Sequence, residues 1–97
     1  MSTLHLVNRS PFSSRILESL DKALAEGDAV LLMEDGVYGV LSEALAPLDG
    51  RARLYALEED CLARGLETFD QGVERVDIGG FVRLSAECQR TLAWFQA

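Results

Sequence analysis

The sequence has very little of the side chains that most active sites use. It contains one histidine, His5, and two cysteines, Cys61 and Cys88, among 97 residues. Zinc sites need a set of such ligands, and the chain offers none. A catalytic histidine needs a nucleophile within hydrogen-bond reach, and nothing in the sequence places one beside His5, which we expect to be a satisfied, partly buried ring. We therefore expect neither a metal nor a self-sufficient active site.

Basic residues and long apolar runs are also scarce. Lys and Arg number 9 against 16 Asp and Glu, so the formal net charge is -7. Because nucleic acids are bound through clustered Lys and Arg, direct nucleic-acid binding is not expected. No apolar stretch reaches the roughly 18 residues that span a bilayer, and the N-terminal residues lack a signal-peptide layout. We expect a cytoplasmic protein with no membrane segment and with free thiols.

What the chain does have is an alternation of strand and helix patterns. Short apolar runs predict strands at 3–7, 29–33, 53–57 and 73–78. Helices are predicted from the Ser10 cap to Gly27, over about 37–46, over 58–64, and finally along a face formed by Phe81, Leu84, Cys88, Leu92 and Phe95. This alternation predicts one α/β domain over residues 1–97, with a short, mainly parallel sheet, helices on both faces and 29–33 as the central strand.

Ligands of such folds bind where the strands end, so the turns after the predicted strands are the candidate sites for chemistry. The first of them, Asn8–Pro11, lacks the glycine-rich pattern that binds a pyrophosphate, and no cofactor is expected. Glu34, Asp35 and Gly36 offer carboxylates to a small ligand, but Asp-Gly is also ordinary turn chemistry, and the structural interpretation is favoured. A small-ligand binding module is the weakest of the functional hypotheses.

Cys61 is the one residue with a plausible chemical role. It lies in the first turn of a predicted helix, where amide dipoles favour a thiolate. The acidic residues Glu58, Glu59 and Asp60 precede it, and like charge disfavours ionisation. Packing is therefore the favoured role for Cys61, with persulfide carriage as the alternative, while Cys88 is expected in the core.

Large apolar residues near turns and at the end of the last predicted helix indicate where a partner could bind. Val37 and Tyr38 follow a tight turn, and Trp94 lies in the last turn of that helix. Together with Phe81 they are the interface candidates.

Four stretches together resemble the DsrH/TusB family. They are Leu4-His5 with Asn8-Arg9-Ser10-Pro11-Phe12, then Glu34-Asp35-Gly36-Val37-Tyr38, then Tyr55-Ala56-Leu57 with Asp60 and Ala63-Arg64-Gly65, and last Asp77 with Phe81-Val82-Arg83-Leu84. The similarity runs nearly end to end, and it makes Asp35, Gly36, Arg64, Gly65 and Asp77 the family-motif positions.

The resemblance implies a DsrE-like three-layer fold and a subunit of a DsrEFH/TusBCD-type complex, a heterohexamer that passes persulfide sulfur between carriers. The implied partners are a TusC/DsrF-like and a TusD/DsrE-like subunit, and the isolated chain is expected to be a homodimer or weakly stable. Related DsrE/TusD subunits carry their relay cysteine where this chain has Leu57, and DsrH proteins of sulfur oxidisers carry one where it has Leu20. Both departures favour the TusB-like branch, a non-catalytic subunit that supports 2-thiolation of the tRNA wobble uridine, with a DsrH-type role in sulfur oxidation as the alternative.

Overall fold

The strands of the sheet form where the sequence carries its short apolar runs. In the computed structural model, which describes residues 2–12, 14–41, 43–48, 50–67 and 72–95, they are β1 (Thr3–Val7), β2 (Ala29–Leu32), β3 (Arg53–Leu57), β4 (Val73–Val76) and β5 (Arg90–Trp94). The helices are α1 (Ile16–Ala23), α2 (Glu58–Ala63) and α3 (Ile78–Glu87), and two 3₁₀ helices, Glu34–Leu41 and Glu43–Leu48, join β2 to β3. The predicted α/β class is confirmed.

All five strands are parallel and lie in the order β4-β3-β2-β1-β5. The central position of β2, predicted from its unbroken apolar run, is therefore confirmed, and its four residues are buried. The strand order itself was not readable from the sequence. It places the first and last strands of the chain side by side, since β1 pairs with both β2 and β5.

Side chains on the two faces of the sheet form two separate apolar clusters. The larger cluster lies under α1, α2 and the two 3₁₀ helices, and it includes Leu20, Val30 and Cys61. The smaller cluster, which includes Leu31 and Leu84, lies under α3 alone. The result is a three-layer arrangement in which one face of the sheet has much more helical cover than the other.

The predicted last helix was wrong beyond Glu87. The backbone at Cys88 is extended, and the chain enters β5 instead of continuing the helix that Leu92 and Phe95 were expected to share. Parallel pairing with β1 satisfies the backbone hydrogen-bonding groups on one side of β5 and outweighs the helical spacing of its apolar residues. Trp94 consequently lies in an edge strand and not at a helix end.

The first helix also begins later than predicted. Ser10 accepts a hydrogen bond from the Phe12 N–H at 3.1 Å, but this bond closes a turn, and α1 begins only at Ile16. Phe12 is therefore exposed and does not belong to the buried face of the helix. Leu20, in contrast, is fully buried as expected.

The α2 helix ends as its sequence predicts. Gly65 has a φ of +72°. Its N–H donates to the carbonyl of Leu62 at 3.2 Å, and the N–H of Leu66 donates to the carbonyl of Cys61 at 2.9 Å. This pair of bonds is a Schellman motif, which needs the left-handed backbone that glycine adopts without a steric penalty.

Candidate functional site

The turns that follow β1, β2, β3 and β4 lie at one edge of the sheet, because all the strands run in the same direction. This edge, which we call the carboxyl rim, holds most of the family-motif residues. Their contacts decide whether the rim is a chemical site or a structural one.

Asp35 and Arg64 are brought together at the carboxyl rim from two different turns. The Nε and Nη2 atoms of Arg64 donate to Asp35 Oδ1 at 3.1 and 3.0 Å, and its Nη1 donates to the backbone carbonyl of Asp60 at 3.1 Å. Asp60 Oδ2 in turn accepts the N–H of Glu34 at 2.6 Å. These bonds join the turn after β2 to helix α2, and they use the guanidinium and both carboxylates within the chain itself.

Tyr38 completes this network from the first 3₁₀ helix. The guanidinium carbon of Arg64 lies 6.0 Å from the centre of the Tyr38 ring, a cation–π distance. Tyr38 is half-buried and packs against the larger apolar cluster. Its predicted role at an interface stays a prediction, but part of the ring remains accessible.

The remaining family-motif positions shape the backbone. A Cβ atom on Gly36 would overlap the backbone carbonyl of Val7, so only glycine lets this turn approach the end of β1. Gly65 terminates α2 as described above. Asp77 caps α3, because its Oδ1 accepts the N–H of Gly80 at 2.8 Å. Each of these positions has a structural reason for its residue type.

Val37 is the interface candidate whose placement the structure corrects. Its side chain is fully buried in the larger apolar cluster, because the first 3₁₀ helix directs it toward the sheet. Phe81 is half-buried and packs against the smaller cluster under α3. Phe81 thus keeps some exposed surface on the less covered face of the sheet, whereas Val37 contributes none.

Neither cysteine is arranged as an activated thiol. Cys61 is fully buried and Cys88 nearly so. Burial raises the pKa of the Cys61 thiol; Arg75 opposes this shift and Asp60 reinforces it. The chemistry of a sulfur carrier needs an accessible thiolate, and Cys61 is instead a neutral packing residue.

The polar feature that the sequence did not reveal is a chain of hydrogen bonds between three side chains inside the fold. His5 Nε2 lies 2.8 Å from Asp28 Oδ2, and Trp94 Nε1 donates to His5 Nδ1 at 2.9 Å. An indole N–H can only donate, so Nδ1 of His5 must accept this bond. Nε2 must therefore carry the ring proton and donate a hydrogen bond to Asp28. His5 and Asp28 are both buried.

Asp28 is also held by the backbone. It accepts the N–H of Thr3 and the N–H of Ala25, both at 3.0 Å. Burial alone would raise the pKa of this carboxyl, but the hydrogen bonds from His5, Ala25 and Thr3 together outweigh burial, so the pKa lies below its ordinary value. Asp28 is therefore an ionised buried carboxylate with three donors.

The Asp28–His5–Trp94 chain resembles half of a catalytic triad but cannot act as one in this state. In a triad the second ring nitrogen accepts a proton from a nucleophile. Here Trp94, which has no proton that it can give up in catalysis, occupies that nitrogen. The hydrogen bonds instead join β5 to β1 and to the turn before β2. The only signal for them in the sequence was the carboxylate of Asp28 directly before an apolar strand.

The parts of the chain that the structure describes contain no group of three or more His, Cys, Asp or Glu side chains that could hold a metal ion. Among these same residues, no helix is long and apolar enough to cross a membrane.

The fold and the carboxyl rim define a parallel three-layer α/β domain whose motif residues stabilise the domain itself. The crystal structure of the ychN protein from E. coli has this fold, with a TM-score of 0.75 at 17% sequence identity, covering 97% of this chain and 100% of that one. That similarity concerns the fold alone.

Sequence comparison then identifies the family. The profile of the family described as DsrH like protein matches residues 9–91. The TusB protein of Pectobacterium carotovorum subsp. carotovorum is 35% identical over 95 residues, and that of Escherichia fergusonii is 36% identical over 99 residues; each match covers 94% of this chain and 99% of the relative. The chain belongs to the DsrH-like family, which confirms the resemblance. The family supports the coarser functional prediction that the chain is a sulfur-relay-related subunit.

Proposed function

We propose that this chain is a non-catalytic structural subunit of a cytoplasmic sulfurtransferase complex that supports 2-thiolation of the tRNA wobble uridine. In this proposal it binds a TusC/DsrF-like and a TusD/DsrE-like subunit in a heterohexamer, and a relay cysteine of the partner carries the sulfur. The observation that carries the proposal is the burial of both thiols in a chain of this family. A subunit whose thiols are packed in its cores supports the assembly without carrying sulfur.

The positions at which related subunits carry cysteine support the same view. Leu57, at the position of the DsrE/TusD relay cysteine, is buried at the end of β3, and Leu20, at the position of the DsrH cysteine, is fully buried in α1. Both leucines contribute to the core. The carboxyl rim is likewise occupied by the contacts of Asp35 with Arg64.

The decisive test separates assembly from sulfur transfer. The chain carrying both Cys61→Ala and Cys88→Ala would be expressed in a strain that lacks the native gene, and tRNA 2-thiouridine would be measured by mass spectrometry. We expect this cysteine-free variant to restore thiolation as wild type does and to co-purify with both partner subunits. A variant that folds and co-purifies but does not restore thiolation would overturn the non-catalytic role and favour Cys61 as a persulfide carrier.

The reactivity of the thiols gives an independent readout. Iodoacetamide near neutral pH should label Cys61 and Cys88 of the native chain more slowly than a free thiol, because both side chains are buried in the folded chain and become accessible only when it unfolds. Labelling in urea provides the matched fully exposed control. Native labelling of Cys61 at the rate seen in urea would contradict the packing role.

A gene deletion distinguishes the two metabolic branches, tRNA 2-thiolation and sulfur oxidation. Loss of the gene should lower tRNA 2-thiouridine if the TusB-like branch is correct. Normal thiolation together with impaired oxidation of reduced sulfur compounds would assign the chain to the DsrH-type branch instead. A wild-type chain that stays monomeric in the presence of both partner subunits would refute the subunit role altogether.

A further inference from the structure

The edge strand β5 is held in the fold by few side chains. Residues 90–93 are exposed, and Trp94 alone among the five side chains of the strand is partly buried, where it packs against the larger apolar cluster. β5 is otherwise attached through its backbone pairing with β1 and, at its start, through the bond from Arg90 Nε to Thr3 Oγ1 at 3.0 Å. The attachment of the C-terminal end of β5 therefore depends on how firmly Trp94 is held.

The hydrogen bond that holds Trp94 requires a neutral His5. Trp94 Nε1 donates to His5 Nδ1 at 2.9 Å, and this nitrogen can accept only while it carries no proton. In an imidazolium both ring nitrogens are donors, so the Nδ1–H of a protonated His5 would face the indole N–H. Protonation of His5 therefore replaces an attractive contact with a repulsive one at the same place.

The relative orientation of the two rings gives no compensating attraction. Their centroids are 6.1 Å apart and their planes are tilted by 35°. A cation is attracted to the face of an indole ring, but Nδ1 of His5 meets the N–H edge of Trp94, which is the positive edge of the ring. A charged His5 is consequently repelled by Trp94 in its docked position.

Asp28 makes a charged His5 tolerable inside the fold. His5 Nε2 lies 2.8 Å from Asp28 Oδ2, and both side chains are buried. While His5 is neutral, the pair carries the single negative charge of Asp28. Protonation of the ring turns the pair into a buried ion pair without net charge, so no uncompensated charge is left inside the protein. The contact that protonation removes is the one with Trp94.

The other charged side chains on the elements around His5 lie toward solvent. β2 carries none. Those on the turn after β1, on and beside α1, and on β5 are all at least partly exposed: Arg9, Arg15, Glu18, Asp21, Lys22, Glu26 and Arg90. Asp28 is therefore the charged group that contacts the ring directly.

We propose that Trp94 is a pH-sensitive latch on the edge strand β5, closed while His5 is neutral and released when Nδ1 of His5 takes up a proton. Because Trp94 covers Nδ1, a proton from water reaches that atom only while the latch is transiently open, and the bound proton then prevents the indole bond from re-forming. Acidification thus shifts the population toward the released state. This inference goes beyond the proposed function, because it needs neither a partner subunit nor sulfur chemistry.

The chain has one histidine and one tryptophan, so both members of the latch can be followed without ambiguity. Proton NMR of the purified full chain would monitor the indole N–H of Trp94 and the Cε1–H of His5 from about pH 8 to about pH 5, the range in which histidine commonly changes charge. The solvent exchange of the indole N–H would be compared at each pH with that of free N-acetyltryptophanamide. We expect the protection of Trp94 relative to this reference to fall at least about tenfold as the His5 signal titrates, since one buried hydrogen bond is lost.

His5→Gln is the control variant, because a glutamine side chain offers both an N–H donor and an acceptor oxygen but does not titrate. With folding verified by circular dichroism, the protection of Trp94 in this variant should not change with pH. A His5 ring that titrates while Trp94 stays protected, or a ring that remains neutral down to about pH 5, would overturn the proposal. Both outcomes are read from the wild-type chain alone, so the test does not depend on the variant. A loss of protection in folded His5→Gln as large as in wild type would also overturn it.

Discussion

Replacement of Asp28 by Asn tests the buried hydrogen-bond chain with almost no change in shape. Asp28 accepts three N–H groups, two on Oδ2 from His5 and Ala25 and one on Oδ1 from Thr3. An amide has one oxygen, so at best it serves the first two donors and turns its NH₂ group toward the Thr3 N–H. One buried donor is then unsatisfied, and the other two bonds lose the contribution of the charge.

The expected cost follows from these losses. An unsatisfied buried N–H costs about 1 to 3 kcal/mol, and hydrogen bonds to a charged group are roughly twice as strong as neutral ones. Asp28→Asn should therefore lower the free energy of unfolding by about 2 to 4 kcal/mol, a large part of the roughly 5 to 15 kcal/mol that holds a domain folded. Urea denaturation followed by far-UV circular dichroism and by the fluorescence of Trp94, the single tryptophan, would measure it.

The pH dependence gives a second signature of the same group. Because the pKa of Asp28 in the folded chain is below its unfolded value of about 4, the carboxylate contributes stability that is complete above that value and is lost as pH falls through the folded pKa. The difference in stability between wild type and Asp28→Asn should then be largest near pH 7 and should shrink below about pH 4.

Asp21→Asn is the matched control, since Asp21 forms an exposed ion pair with Arg51 and its loss should change stability by less than about 1 kcal/mol. An effect of Asp28→Asn no larger than that of Asp21→Asn, or a difference from wild type that stays constant down to acidic pH, would refute the role given to the buried carboxylate.

Two further substitutions test the packing. Gly36→Ala should destabilise the fold by roughly 3 kcal/mol or more, or prevent folding, because the added Cβ would overlap the backbone carbonyl of Val7. Gly27→Ala is the control: Gly27 has open space around it but a φ of +88°, so the change should cost only about 1 kcal/mol. Equal effects of the two substitutions in urea denaturation would contradict the close approach of Gly36 to Val7. Leu20→Ala should cost about 2 to 5 kcal/mol because the side chain is fully buried, and Leu20→Cys should cost less; an unchanged Tm for Leu20→Ala would show that the buried face of α1 is misplaced.

The strands and most turns were predictable because their signals are local. The run at 29–32 is apolar at every position, as a strand covered on both faces requires, and Gly65 marks the end of α2. The transition from α3 to β5 was not predictable in this way. Leu84, Cys88 and Leu92 keep a helical spacing, and no Gly or Pro interrupts it, so only the available edge of β1 makes this segment a strand.

The candidate site shows the same division. The resemblance identified Asp35, Gly36 and Arg64 as family-motif positions. Their contacts could not be predicted, because the resemblance does not say which turns meet at the carboxyl rim. The link from His5 to Trp94 spans 89 positions in the sequence and depends on the strand order, which no local pattern encodes.

The pairing of β1 with β5 has a consequence for how the chain folds as it is synthesised. Of the five strands, β1 leaves the ribosome before the others, and β2 can pair with it soon afterwards. The other edge of β1 stays open until residues 90–94 have emerged. During that interval the nascent chain exposes a strand edge and the polar ring of His5, whose bond to Trp94 is among the last contacts to form. Such an edge is a template for pairing with other nascent chains, so the interval before β5 docks is the period in which misassembly through β1 is favoured.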